Sequence, residues 1–197
     1  RPNYDSLVAF KGYDLLYGLN YSFVSTTDPK VNISIVNKET KKITAVTIPI
    51  PKDLRGDNNH WITDVAFYRK GNTVYGVVPM PEYENRGEKA PTYFFVTFSV
   101  NLETGATTPA KRVKLPEEYA SIAWGEAKSS RMYDPQVLLF KSMYSRDEKF
   151  RLMTFDAETE KFTEIRPEQG MSAVQSILYT VGDKAYIALA DEVPAFT

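Results

Sequence analysis

Four times along the chain a short triplet returns at nearly constant spacing: Val8-Ala9-Phe10, Val65-Ala66-Phe67, Ile122-Ala123-Trp124 and Ile177-Leu178-Tyr179. Counted from the first residue of each, the steps are 57, 57 and 55 residues. A period in this range means that one supersecondary unit recurs and that neighbouring copies bury a shared core. The stretches between the marks alternate apolar and polar residues over strand lengths. No long window carries the 3.6-residue period of a helix, which argues against a helical solenoid. The repeat constrains architecture far more than chemistry.

Each mark leads into a turn and a second apolar run. Lys11-Gly12 precedes Tyr13–Gly18, Gly71-Asn72 precedes Thr73–Gly76, and Gly182-Asp183 precedes Lys184–Ile187. In the third copy the turn stretches from Gly125 to Pro135, before Val137–Phe140. Runs joined by such turns read as β-hairpins. Third strands are expected at Val31–Val36, Tyr93–Val100 and Phe150–Phe155, ending in the acidic-Thr turns Lys38–Lys41, Leu102–Gly105 and Ala157–Glu160. Outermost strands follow at Ile43–Ile48, Lys111–Leu115 and Phe162–Ile165, closed by Pro49 and Pro51, by Pro116 and by Pro167. Proline cannot donate to a ladder, so it suits the exit from an edge strand.

Four antiparallel strands per unit, hairpin-connected and repeated, resemble the blades of a β-propeller over almost the whole chain. The resemblance is to the fold; no Gly-His with a closing Trp-Asp, kelch double glycine or sialidase Asp box is in the sequence. It implies an all-β, single-domain chain over residues 1–197, in units of about 1–57, 58–116, 117–170 and 171–197. Inner strands are expected at 7–10, 63–67, 120–124 and 174–179, around a common axis. Small Ala9, Ala66 and Ala123 beside large Phe10, Phe67, Trp124 and Tyr179 fit a narrow axis with bulky packing between blades, hence about four blades. The fourth unit holds two strands where the others hold four. A degenerate unit, a fragment of a longer propeller or a different closure scheme would each account for this. A homodimer in which each chain supplies its partner's outer pair is unattractive, because each chain begins with an inner strand, though an open edge invites association.

A length of 197 residues suffices for one good core. A formal net charge of −1 offers no general attraction to nucleic acid or anionic membrane. The apolar runs are strand-length, too short for a spanning helix. Without cysteine there is no disulfide, thiolate chemistry or Cys-based zinc site. The sequence opens on Arg1 rather than Met, as processing or trimming would leave it.

Side chains suited to chemistry are sparse. His60 is the single histidine, within Arg55-Gly56-Asp57-Asn58-Asn59-His60-Trp61, with Asp64 close behind. A His relay needs a nucleophile and an orienting carboxylate, and no Gly-x-Ser-x-Gly elbow accompanies it. A loop histidine bonded locally is the plainer reading. Arg55-Gly56-Asp57 spells the tripeptide that integrin ligands display, though most such tripeptides are ordinary turns. Two long connections are candidate binding loops: Pro79–Pro91, with Tyr83 and Arg86, and Lys128–Asp134, with Arg131 and Tyr133. Neither carries a phosphate-cradling glycine pattern or an EF-hand spacing. Asn20-Tyr21-Ser22 and Asn32-Ile33-Ser34 are glycosylation sequons lying in expected strands.

The expectation is a non-catalytic, propeller-type binding module, secreted or periplasmic, without cofactor or metal. It would take a protein, small-molecule or glycan ligand through Arg55, Asp57, His60, Trp61, Asp64, Tyr83, Arg86, Arg131 and Tyr133. It would engage no nucleic acid and insert in no membrane. The alternatives are a propeller hydrolase or lyase with an axial metal, and a storage or structural surface protein. Around the triplets, Asp5, Asp64 and Ser121 are thin for a catalytic metal site.

Overall fold

A computed structural model of the chain describes residues 4, 6–20, 30–55, 65–83, 90–122, 124–125, 138–142, 152–165, 173–181 and 184–190. The first sheet runs β1 (Ser6–Phe10), β2 (Tyr13–Asn20), β3 (Lys30–Asn37) and β4 (Ile43–Pro49). A single helical turn, α1 (Lys52–Arg55), leads to the second: β5 (Ala66–Lys70), β6 (Thr73–Glu82), β7 (Thr92–Asn101) and β8 (Lys111–Lys114). Another turn, α2 (Glu117–Ala120), precedes the third: β9 (Trp124–Gly125), β10 (Leu138–Ser142), β11 (Leu152–Asp156) and β12 (Lys161–Ile165). Strands β13 (Ala173–Val181) and β14 (Lys184–Ala190) pair as a fourth sheet. Within each sheet, strands adjacent in sequence pair antiparallel. The chain is mostly β, in antiparallel sheets.

Sequential hairpins follow from pattern and turn chemistry. Phe10 pairs with Tyr13 and Lys70 with Thr73, leaving two-residue loops. Strand β7 reads Thr-Tyr-Phe-Phe-Val-Thr-Phe-Ser-Val-Asn, buried from Phe94 through Val100. A near-continuous apolar run is what a strand covered on both faces requires.

The second sheet is that doubly covered layer. Its Phe67, Val74, Val78, Met80, Phe94, Val96, Phe98 and Val100 pack with Val8, Phe10, Leu15, Tyr17, Ile33 and Ile35 of the first sheet. Its opposite face sends Ala66, Tyr68, Val77, Phe95 and Val113 against Trp124, Phe140, Met153 and Phe155 of the third. Tyr17 meets Phe67 edge-on at 4.8 Å, and Phe95 lies 4.7 Å from Phe140. Phe10, Phe67 and Trp124 are thus buried between sheets as expected; the side chain of Tyr179 lies outside the described residues.

The triplets mark the strands but not their register. Aligned on the hairpin turns, Phe10 corresponds to Lys70 rather than Phe67, an offset of three residues. An odd offset reverses every side chain across a sheet. Phe10 therefore faces forward to the second sheet, whereas Phe67 faces back to the first. Phe67 and Trp124 do agree, each facing the preceding sheet.

Three expected boundaries move. Strand β5, expected at 63–67, runs Ala66–Lys70 with Val65 outside it, because the two-residue turn after Lys70 sets where the hairpin begins. Residues 120–122, expected to begin an inner strand, end α2 and its turn. Pro116 carries the carbonyl that accepts from Tyr119 N (2.9 Å) and Ala120 N (2.9 Å), while Trp124 Nε1 donates to Tyr119 O (3.0 Å). The same device follows the first sheet, where Leu54 N donates to Pro51 O at 3.1 Å. In both, the residue three beyond proline, Leu54 or Tyr119, carries an apolar side chain onto the core. Pro79–Glu82, expected to start a loop, instead extends β6. Strand β5 has ended by then, at Ala66 opposite Val77, while β7 continues beside β6. Pro79 and Pro81 point their missing donors to the side where, among the described residues, there is no ladder to feed.

Candidate functional site

Connections divide between two ends of the sheets. At one end lie the short hairpin turns, and side chains tie them to their neighbours. Arg69 Nη1 donates to Lys11 O at 2.7 Å, from the second sheet to the first. Lys70 Nζ donates to Asp156 Oδ2 at 2.7 Å and Glu158 Oε2 at 3.2 Å on the third, and Lys111 pairs with Glu160 there.

One turn recurs at this end in all three four-stranded sheets. Asn37, Asn101 and Asp156 each present Oδ1 to the N–H groups two and three residues on: Glu39 and Thr40 (both 3.0 Å), Glu103 and Thr104 (both 3.0 Å), Glu158 (2.9 Å) and Thr159 (3.3 Å). Such an acceptor satisfies donors that the reversing backbone strands. The fifth residue then takes a left-handed conformation: Lys41 (φ 60°), Gly105 (φ 72°) and Glu160 (φ 57°). The acidic-Thr signal is visible in sequence; the Asx residue that organises it is not marked as such.

The third copy adds an inter-sheet latch. Ala157 N donates to the Tyr68 phenol at 2.7 Å, and Tyr68 OH donates to Asp156 Oδ1 at 3.3 Å. In the first two copies the corresponding N–H groups, of Lys38 and Leu102, donate to Gly12 O (2.9 Å) and Asn72 O (2.8 Å) of their own sheets. Burial pushes the Tyr68 phenol well above its usual range, so it stays a neutral donor and acceptor. Burial works against the Asp156 carboxylate, but hydrogen bonds from Lys70, Glu158 and Thr159 outweigh it and hold its pKa below the ordinary value. The hydrogen bond to Asp156 leads in raising Lys70, against the cost of desolvation. Tyr75 stacks on Tyr68 at 5.2 Å. These groups stabilise each other's charge and proton states; their geometry is that of a fastener.

The opposite end receives two of the three candidate connections. Strand β4 exits there through α1 and residues 56–64 towards β5, and β6 exits through Tyr83 and residues 84–91 towards β7. Arg55 closes α1, and Tyr83 is half-buried just beyond β6. Asp57, His60, Trp61, Asp64 and Arg86 lie outside the described residues, as do Arg131 and Tyr133. The strand ends flanking 126–137 belong to the hairpin-turn end, so the third candidate connection leaves from the end opposite the first two. A single site drawing on all three is therefore not what the topology favours.

Near the long-connection end, Arg112 pairs with Glu82, and its guanidinium sits 3.7 Å from the Phe94 ring centroid. Stacking and pairing together fix a planar cation on a half-exposed surface. No local signal in the sequence marks this cluster, because cross-strand neighbours are set by register. Asn32, an expected sequon acceptor, is buried, and Thr47 Oγ1 donates to its Oδ1 at 3.1 Å, while Ser34 Oγ donates to Tyr4 OH at 2.7 Å. In this fold Asn32 serves as a strand-to-strand link. Among the described residues no helix is long and apolar enough to cross a membrane. Compared with models of known protein families and with curated proteins, the chain matches none.

Proposed function

We propose that this chain is a propeller-type, non-catalytic binding module that works outside the cytoplasm and presents its long connections as the ligand-contacting surface. The observation that carries the reading is the division of labour between the two ends. Hairpin turns at one end are fastened to neighbouring sheets by Arg69, Lys70 and Tyr68. The Arg55–Asp64 and Tyr83–Arg86 connections leave from the other end, beside the fixed Arg112. Variable connections on a rigid scaffold are where binding residues concentrate. The ligand class is a protein, a small molecule or a glycan.

Closure of the sheets into a ring of about four blades is supported by the outward faces of the first and third sheets. Ser34 on β3 and Leu152 on β11 are buried although they point away from the second sheet. A fourth sheet between them, built on β13 and β14, would cover both.

The test is a screen of ester, lactone and glycoside substrates, with and without added divalent cations, on the native chain and on His60→Ala and Asp64→Asn. The binding reading expects no turnover. Turnover that either substitution abolishes would replace it with a hydrolase whose chemistry sits on the same connection.

A further inference from the structure

We propose that β14 is an association edge, pairing antiparallel with β14 of a second copy of this chain so that two two-stranded sheets join as one of four strands across a two-fold axis. Aligned on the hairpin turns, β14 is the counterpart of β2 and β6: Val181 pairs with Lys184 as Phe10 pairs with Tyr13 and Lys70 with Thr73. Strands β2 and β6 each have a ladder on both sides, whereas among the described residues β14 pairs with β13 alone.

The sequence of β14 agrees with an interior position. It reads Lys-Ala-Tyr-Ile-Ala-Leu-Ala, with one charge, at its first residue, and no proline. The outermost strands of the other sheets are built differently. Strand β4 ends in Pro49, β8 is Lys-Arg-Val-Lys, and β12 is Lys-Phe-Thr-Glu-Ile. Lysine, other charges and proline are the usual means of blunting an exposed edge, and an apolar strand without them is a template for another strand.

A second copy is the occupant these observations fit. It carries the same unblunted edge, and a self-complementary edge is what a two-fold contact needs. Two such sheets give the four strands found in each of the other sheets. A net charge of −1 per chain puts little repulsion between copies. The inference uses the sheet architecture and does not depend on the binding reading.

Sedimentation equilibrium of the purified chain tests it, with Ala188→Lys as the edge-blunted variant. The native chain is expected at twice the mass of one chain, and the variant is expected to weaken association at least tenfold with an unchanged circular dichroism spectrum and a melting temperature lowered towards that of the single chain. The absence of cysteine allows a second readout that survives misfolding of the lysine variant. Oxidised Ile187→Cys should form a covalent dimer, and Thr163→Cys on β12 should not. A single-chain mass throughout, as a partner strand from another protein or from elsewhere in the chain would leave it, overturns the proposal. So does a dimer that resists Ala188→Lys and cross-links equally through β12.

Discussion

Asp156 joins the third sheet to the second: it organises its own turn, pairs with Lys70 and accepts from Tyr68. Its lowered pKa fixes the sign of a pH effect. A carboxylate held below its unfolded value of about 3.9 contributes stability that is complete above that value and lost as pH falls through the folded one. Lys70, held above its usual value, contributes below about 10.4 and loses that contribution as pH rises through its folded value. The melting-temperature gap between the native chain and Asp156→Asn should thus be constant from neutral pH down to about 4 and narrow below it. A gap that ignores pH would mean that the pair with Lys70 contributes nothing. Thr97 is the converse case: its hydroxyl is buried on β7 with no hydrogen-bond partner among the described residues. Thr97→Val removes an unsatisfied polar atom at constant shape and should stabilise the fold by about 1 kcal/mol in denaturant titration.

Among the elements, the strands were legible in the sequence and their registers were not. Strand β3, expected at Val31–Val36, runs Lys30–Asn37, and β12, expected at Phe162–Ile165, runs Lys161–Ile165. Alternation of apolar residues between turn signals is a local property, so it can be read locally. Which copy of a repeat aligns with which is set by the hairpin turns and by packing across sheets. The Val-Ala-Phe triplets, three residues out of step between β1 and β5, carry no mark of that offset. The extension of β6 through Pro79 and Pro81 was hidden for a related reason, since proline ends a strand or lines its free edge depending on where the neighbour stops. Gly76 shows how tightly the resulting elements interlock. A Cβ there would stand 2.3 Å from Cζ of Phe98, itself buried in the core between the first two sheets. Gly76→Ala should cost about 1–3 kcal/mol by overpacking, read from the midpoint of denaturant unfolding. An unchanged midpoint would mean that β6 and β7 do not set Gly76 opposite Phe98.

At the scale of the molecule, three sheets stack in order, and the second shares a core with each of its neighbours. The Arg55–Trp61 and Tyr83–Arg86 segments were legible as candidate connections because length and turn residues are visible in sequence. That they leave from one end and the Arg131–Tyr133 segment from the other was not, since it follows from strand pairing alone. We propose that the fourth sheet returns to the first and closes a ring, giving the Arg55–Asp64 and Tyr83–Arg86 connections a common rim. Packed sheets lie about 10 Å apart, so β1 and the β13–β14 sheet stand about one spacing apart in a ring and about 30 Å apart in an open stack. Leu7 on β1 and Tyr186 on β14 are both exposed, and the chain has no cysteine to compete for label. Pulsed electron paramagnetic resonance on the doubly spin-labelled Leu7→Cys, Tyr186→Cys chain, diluted with unlabelled protein, measures that distance directly. A closed ring gives a distribution centred at about 10–20 Å; one centred near 30 Å or beyond would contradict closure.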